Sequence, residues 1–299
     1  MSSVIRHTQN KIRSKFKQIA LSVFVLVLFS VWSLMTIANL QPQGNLQMWV
    51  FDIGQGDAIF IQTKEGQQIL IDGGRDQKIL QKLSSVMWPW DRTIDAIVAT
   101  HPDADHITGL ISVLDRYQVN TIYETGVRGE TPMIDALVEA IGREEAAHTI
   151  LRAGDRFDFG DVQFMIEWPT QEAVNSAKDR NNTSIVLKLI YGSHSILLTG
   201  DAEKEVEAEI AKKIGDVDVL KVGHHGSVSS STLTFLEQIK PEYALIPVGE
   251  KNSYGHPHPV VLSRLMQVAA QIFRTDLDGD ILVTTDGTHL QVGPKSLPF

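Results

Sequence analysis

The pattern of apolar and polar positions changes character near residue 40. Ile19 to Ala38 is a run of twenty residues without a charge, and no later apolar run reaches half that length. As a helix it would measure ~30 Å, the thickness of a hydrocarbon core. Arg6, Lys11, Arg13, Lys15 and Lys17 precede it, a basic flank of the kind that stays in the cytoplasm and sends the following chain outward. A cleaved signal peptide is the competing reading, with Thr36 and Ala38 small enough for a peptidase site. Signal cores usually run only ~7–15 residues, which favours the anchor. The expected organisation is a basic segment 1–18, an anchor or signal 19–38, a tether 39–45 and a folded domain 46–299.

Beyond Leu46 the pattern shortens to β-type runs separated by turn signals. Met48–Ile53, Ala58–Gln62 and Gln68–Ile71 predict consecutive strands, with Glu65-Gly66 as a hairpin turn. Strands and helices then alternate: strand Ile94–Ala99, helix Ile107–Asp115, strand Thr121–Tyr123, helix Pro132–Ile141. Hairpins follow around Gly160-Asp161 and Tyr191-Gly192, then a helix over Ala202–Lys213 with alternating charges on its outer face. Strands Val217–Val222, Tyr243–Pro247 and Ile281–Thr285 are separated by helices near Ser231–Gln238 and Pro259–Ala269. Each half thus offers a β-rich stretch followed by strand–helix units, and two sheets packed face to face with helices outside would bury every apolar face. Trp88-Pro89-Trp90 reads as a packed turn.

Composition narrows the chemistry. Hydrophobic residues are 43% and charged residues 21%, enough for a sizeable core. There is no cysteine, which excludes a disulfide framework, a thiolate zinc finger, an iron–sulfur centre and a cysteine nucleophile. Five of the 27 Lys/Arg fall in the basic flank, leaving 22 against 36 acidic residues in the rest of the chain. Such a balance argues against a nucleic-acid binder held by overall charge.

The densest chemistry follows the strand Ile94–Ala99, in Thr100-His101-Pro102-Asp103-Ala104-Asp105-His106. If extended geometry continues, residues 101, 103 and 105 project to one side, with His106 where the next helix begins. Imidazole and carboxylate mixed at a strand end suit one or two divalent metals. A capping loop, with Asp105 as N-cap, would need neither two histidines nor two aspartates. Asp201 ends another predicted strand in Leu198-Thr199-Gly200-Asp201, as a helix cap or as a carboxylate shared by two metals. His224-His225 and His256-Pro257-His258 follow further predicted strands, so six of the ten histidines fall in three short stretches that read as one site. His7, His148, His194 and His289 are isolated and read as surface or ordinary structure.

His101-x-Asp103-x-Asp105-His106, with Asp72-Gly73-Gly74 before it and Thr199-Gly200-Asp201 and His224-His225-Gly226-Ser227 after it, resembles the metallo-β-lactamase superfamily. Phe51-Asp52-Ile53-Gly54-Gln55-Gly56-Asp57, Asn182-Thr183-Ser184 and the Gly255-His256-Pro257 turn make it similar to the metal-hydrolase domain of ComEC-type competence proteins. The resemblance runs from Leu46 to Val292. It implies a four-layer αββα sandwich with two divalent metals, zinc or manganese, at one edge. His101 and Asp103 would serve the first metal, Asp105, His106 and His225 the second, and Asp201 both. Asp103 stands where the superfamily usually has histidine, which hardens the first site and favours manganese beside zinc. The usual histidine before the bridging aspartate has no counterpart, and Asn182 holds its approximate place as an oxygen ligand or an open position.

The resemblance further implies hydrolysis by a hydroxide shared between the metals. His224 would face the substrate, or the two neighbouring histidines would exchange roles with His224 as the ligand, and His224 or His256 would protonate the leaving group or steady a phosphate oxygen. Asp57 and Gln55 would support the centre from a tight loop, and Asp72 would either orient a ligand histidine or simply form the turn. The expected function is an anchored, exported phosphodiesterase or nuclease acting on DNA or an envelope component, with no obligate protein partner evident. The competing readings are hydrolysis of lactams or other acyl substrates, or a binding protein whose metal site is vestigial.

Overall fold

The apolar run begins its helix earlier than predicted. The computed structural model describes residues 15–33, 44–128 and 131–295, and α1 is Lys15–Ser33, 19 residues long and apolar enough to cross a membrane. Lys15 and Lys17, predicted in the basic flank, form its first turn. Arg6, Lys11 and Arg13, the end of the apolar run at 34–38 and tether residues 39–43 lie outside the described residues. From Gly44 onward the chain forms a second compact unit.

In that unit β1 (Leu46–Val50), β2 (Ile59–Gln62), β3 (Gln68–Ile71), β4 (Thr93–Ala99), β5 (Gln118–Glu124) and β6 (Ala147–Ile150) lie in one sheet. A second sheet holds β7 (Arg156–Phe159), β8 (Val162–Trp168), β9 (Val186–Tyr191), β10 (His194–Leu198), β11 (Val219–Lys221), β12 (Tyr243–Ile246) and β13 (Gln271–Arg274). The chain then returns to the first sheet with β14 (Ile281–Thr285) and β15 (Leu290–Pro294). The orders are β15-β14-β1-β2-β3-β4-β5-β6 and β13-β12-β11-β10-β9-β8-β7. Each sheet is antiparallel on one side, and parallel through β3 to β6 or β10 to β13.

Three apolar layers follow from the alternation of side chains across each strand. Ile59 and Ile61 of β2 join Phe164, Leu187 and Ile196 between the sheets. Phe60, between those two isoleucines, faces the other way, into the layer under α2 (Lys78–Val86), α3 (Ala104–Leu114) and α4 (Pro132–Arg143). A short α5 (Gln171–Ser176) follows β8, and α6 (Lys204–Ile214), α7 (Leu233–Ile239) and α8 (Pro259–Gln267) cover the second sheet. A last turn, α9 (Thr275–Asp278), precedes β14. The architecture is the expected αββα sandwich, and Ile59 to Ile61 of β2 are all apolar because both faces of the strand are buried there.

Two local expectations are corrected. The segment 101–105 is not extended, because α3 begins at Ala104 rather than Ile107 and takes Asp105 and His106 into its first turn. An acidic residue is favourable there, against the positive end of the helix. Asp103, not Asp105, occupies the N-cap position, and its carboxylate makes no capping hydrogen bond. The Trp88-Trp90 turn pairs its rings at 5.5 Å but leaves Trp90 72% exposed.

The loops that carry the chemistry leave the carboxyl ends of strands. β3 leads to Asp72, β4 to His101, β10 to Asp201, β11 to His224 and His225, and β12 to the loop holding His256. Two glycines permit the close approach of these loops. A Cβ at Gly109 of α3 would overlap the Gly73 carbonyl, so glycine lets the helix settle on the Asp72-Gly73 turn. Gly56, at φ +118°, meets the Asp105 backbone in the same way.

Candidate metal centre

Four buried side chains converge where these loops meet. One ligand atom from each of Asp57, His106, Asp201 and His225 lies within 4.8 Å of all the others. His106 Nε2 and His225 Nε2 lie 3.3 Å and 3.4 Å from Asp201 Oδ2. His101 sits beside them, its ring 4.1 Å from that of His106. The Nε2 atoms of His101, His106 and His225 and Oδ1 of Asp57 are buried without a hydrogen-bond partner. Orphaned polar atoms of this kind are costly, and three imidazole nitrogens with carboxylate oxygens are a donor set that fits a divalent cation.

The opposite edges of these rings are anchored, as ligand histidines require. Asp72 Oδ2 accepts from His106 Nδ1 at 2.7 Å and from the Thr100 hydroxyl at 2.6 Å, while its Oδ1 takes the Thr100 N–H at 2.8 Å. His225 Nδ1 donates to the Pro247 carbonyl at 2.9 Å. His224 and His225 both adopt positive φ, 48° and 52°, which turns the two rings to different surroundings. His225 is 1% exposed and aimed at the cluster, whereas His224 lies at the rim with Nδ1 3.1 Å from Glu203 Oε1 and Nε2 3.8 Å from Asp201 Oδ2.

Lys221 was not among the residues expected here, yet its ammonium is fully buried in the centre. It lies 2.5 Å from Asp57 Oδ2 and 3.4 Å from Asp201 Oδ1, and donates to the Gly200 carbonyl at 2.6 Å. A lysine at the end of an apolar strand gives no sequence signal of this role. Asp57, expected only to support the centre, is one of its four converging groups.

Opposite charges set the protonation states. Burial alone would raise Asp201, but His225, His106 and Lys221 more than offset it and hold the carboxyl well below its usual value. Burial likewise opposes the charge on Asp57, where Lys221 and His225 prevail and lower it. Burial would lower His106, yet Asp201 and Asp72 hold it well above its usual value. His225 is raised to about 9 against burial, by Asp201 and Asp57. Without metal, these two protonated imidazoles are the counter-charges of the carboxylates, so binding through Nε2 must expel their protons. Below about pH 9, affinity for zinc or manganese should therefore rise about tenfold per pH unit for each proton displaced. Calorimetry in buffers of different ionisation heat counts those protons; an affinity independent of pH in this range would contradict the arrangement.

The remaining expected residues are spread around this cluster. Asp105 reaches within 3.7 Å of His225 Nε2, and its carboxyl is lowered by His225 and His106 against burial. Asp103 Oδ2 lies 4.0 Å from His101 Nε2, while Oδ1 meets Arg180 Nε at 3.0 Å, a partner the sequence did not indicate. Asn182, expected as an oxygen ligand or an open position, has its Oδ1 accept the Glu203 N–H at 3.0 Å, tying the loop to the start of α6. Gln55 Oε1 meets the Gly249 N–H at 3.5 Å, joining two loops beside the centre. His256 stacks edge-on to His224, with rings 5.6 Å apart. Burial, with His224 and His225 nearby, lowers it to about 4, so it is neutral near neutral pH.

Comparison with known proteins agrees with this geometry. The profile of the metallo-beta-lactamase superfamily matches residues 51–250. ComE operon protein 3 of Bacillus subtilis is 33% identical over 261 residues, covering 81% of this chain and 33% of that protein. Recombination protein 2 of Haemophilus influenzae is 28% identical, covering 85% of this chain and 30% of that protein. The chain thus spans about a third of the length of these relatives. Among solved structures, the metallo-beta-lactamase fold protein YhfI from Bacillus subtilis superposes with a TM-score of 0.55 at 12% identity, covering 81% of this chain and 100% of that one. The chain belongs to the metallo-beta-lactamase superfamily, a family of metal-dependent hydrolases.

Proposed function

We propose that this protein is a membrane-anchored phosphodiesterase, and that its substrate is DNA or, failing that, an envelope phosphodiester. The observation that carries the reading is the convergence of three orphaned histidine nitrogens with the carboxylates of Asp57 and Asp201 on one buried spot, with Asp103 and Asp105 at its edge. Asp57, Asp103, Asp105 and Asp201 make the donor set rich in hard oxygen, which suits zinc or manganese and phosphoryl chemistry. His101 and Asp103 would hold one cation and Asp105, His106 and His225 the other, with Asp201 serving both and Asp57 beside them. Two divalent cations held there would supply a nucleophile at neutral pH and stabilise both oxygens of an in-line displacement.

The chain's own residues would do the rest. Asp72 fixes the tautomer and direction of His106, and Lys221 holds Asp57 and Asp201 ionised. His256, being neutral, is suited to hydrogen-bond a phosphate oxygen rather than to bring a charge. His224, oriented by Glu203, is the better candidate to deliver a proton to the leaving alkoxide. The nuclease reading is the one favoured by similarity to a protein named for competence, competence protein ComA of Neisseria gonorrhoeae. α1 would anchor the chain with its basic flank in the cytoplasm and the hydrolase outside.

The test uses the full chain in detergent, stripped of metal and then given zinc or manganese. It is assayed on bis(p-nitrophenyl) phosphate, on single- and double-stranded DNA, and on a chromogenic lactam. Metal-dependent cleavage of the diester and of DNA is expected. Lactam turnover without diester turnover would replace the reading by acyl hydrolysis, and no turnover with either metal would leave a binding protein.

A further inference from the structure

The acidic balance of the chain leaves open what would hold a polyanionic substrate, and the structure supplies a local answer. A cavity of about 380 Å³ opens beside the metal centre, between the loop that carries Asp57 and the loop that carries His256. Its size falls in the range of small-ligand sites, ~300–1,000 Å³. Arg75, Lys78 and Lys251 line it, and none of the three forms an ion pair among the described residues. Asp52 and Glu250 also line it, and Asp52 Oδ1 accepts the Gly54 N–H at 3.2 Å. Lys78 opens α2, whose first turn holds no acidic residue, and its ammonium would lie 3.6 Å from a Cβ at Gly54. The balance is one net positive charge in a chain of formal charge −9.

Charge is distributed asymmetrically about the centre. The cavity on the Glu203 side carries Lys178 against Asp179, Glu203, Glu205 and Glu209, and would repel the same ligand. The cationic cavity also has an aromatic edge. Tyr254 is 64% exposed and lies nearly parallel to His256, with ring centroids 5.7 Å apart and planes at 23°. An exposed ring beside unpaired cations is the combination by which single-stranded nucleic acids are held without regard to sequence, through backbone charge and base stacking. A polyol phosphate would use the cations and leave the ring idle.

We propose that this cavity is the strand-binding subsite of the protein, taking the phosphates of a single-stranded nucleic acid on Arg75, Lys78 and Lys251 and a base on Tyr254. The proposal rests on the phosphodiesterase reading, because it places the strand next to the proposed hydrolytic centre. Its test is read by binding alone, without metal or turnover, so the two fail separately. The full chain in detergent and chelator is titrated against a fluorescein-labelled oligothymidylate, and anisotropy is followed from 50 to 200 mM salt.

Three phosphate contacts predict that affinity falls about 20-fold across that range. The exposed triple variant R75E/K78E/K251E should bind about 100-fold more weakly and lose most of its salt dependence. R75Q/K78Q/K251Q serves if the charge reversal melts early. Tyr254→Ala should weaken the oligonucleotide about tenfold but leave an abasic strand unaffected, and Tyr254→Phe should restore binding. Equal affinity and salt slope in wild type and triple variant would overturn the proposal, as would no binding by the wild type. It would equally fall if a glycerol phosphate polymer bound more tightly than the oligonucleotide, or if Tyr254→Ala weakened the abasic strand as much.

Discussion

Asp201→Ala should reduce metal-dependent turnover of the small diester by about a thousandfold, the several kcal/mol that a metal ion's charge stabilisation contributes. The residue is 3% exposed, and its Oδ2 lies within 3.8 Å of His106, His224 and His225. Its loss removes the carboxylate proposed to serve both cations. It also leaves Lys221 and two protonated histidines facing fewer negative charges, so repulsion among them opposes cation binding further. Measuring kcat/KM with manganese at saturation, beside a far-UV spectrum and a melting curve, separates lost chemistry from lost fold. A folded variant that retains more than a tenth of wild-type turnover would show that Asp201 is a structural residue and not part of the hydrolytic centre.

Lys221→Met should cost the metal-free protein about 3–5 kcal/mol, because removing one member of a buried charge pair strands the other. Methionine keeps most of the length of the stem but leaves the carboxylates of Asp57 and Asp201 and the Gly200 carbonyl without their shared cation. The effect has a direction with pH. Both carboxyls are held below their ordinary values in the folded chain. Their contribution is therefore complete above the unfolded carboxylate range, near pH ~4, and is lost as pH falls through the folded values. Without Lys221 those folded values rise, and acid unfolding should begin at a higher pH. Urea unfolding at pH 7 and an acid titration of wild type and variant measure both effects. Added zinc or manganese should recover part of the loss by replacing the missing positive charge. A loss under about 1 kcal/mol would mean that the buried lysine is not the counter-ion of the centre.

The sequence reading reached the centre where polar residues are crowded at the ends of apolar strands. His101 to His106, Asp201 and the His224-His225 pair stand out because a strand end in a packed domain rarely needs them, and the structure brings them within a few ångströms of one another. It missed Lys221, which acts singly: it closes β11 and makes no local pattern. Asp57, read as a support from its glycine-rich loop, is one of the converging groups themselves. Arg180 and Glu203 meet Asp103 and His224 only through the fold.

Secondary structure shows the same division. β2, β4 and β10 are legible as apolar runs between turns, whereas β6 is exposed along its whole length and carries no alternation. The edge strands β13 and β15 are only partly buried, and α2 buries two residues, Ile79 and Leu83. Their pairing is decided by the strands already in place. The extended reading of 101–105 failed for a different reason: the carboxylates that look like metal ligands also favour a helix start.

The most direct test of the account measures bound metal and turnover in the same samples. The full chain in detergent, stripped and then loaded with manganese or zinc in steps, is freed of excess ion, and metal per chain is determined by mass spectrometry beside diester hydrolysis. The account predicts that metal-free protein is inactive, that turnover rises with occupancy, and that substituting both His106 and His225 by Ala removes metal and activity together. Hydrolysis by the metal-free chain, or full metal retention by that double variant, would contradict it.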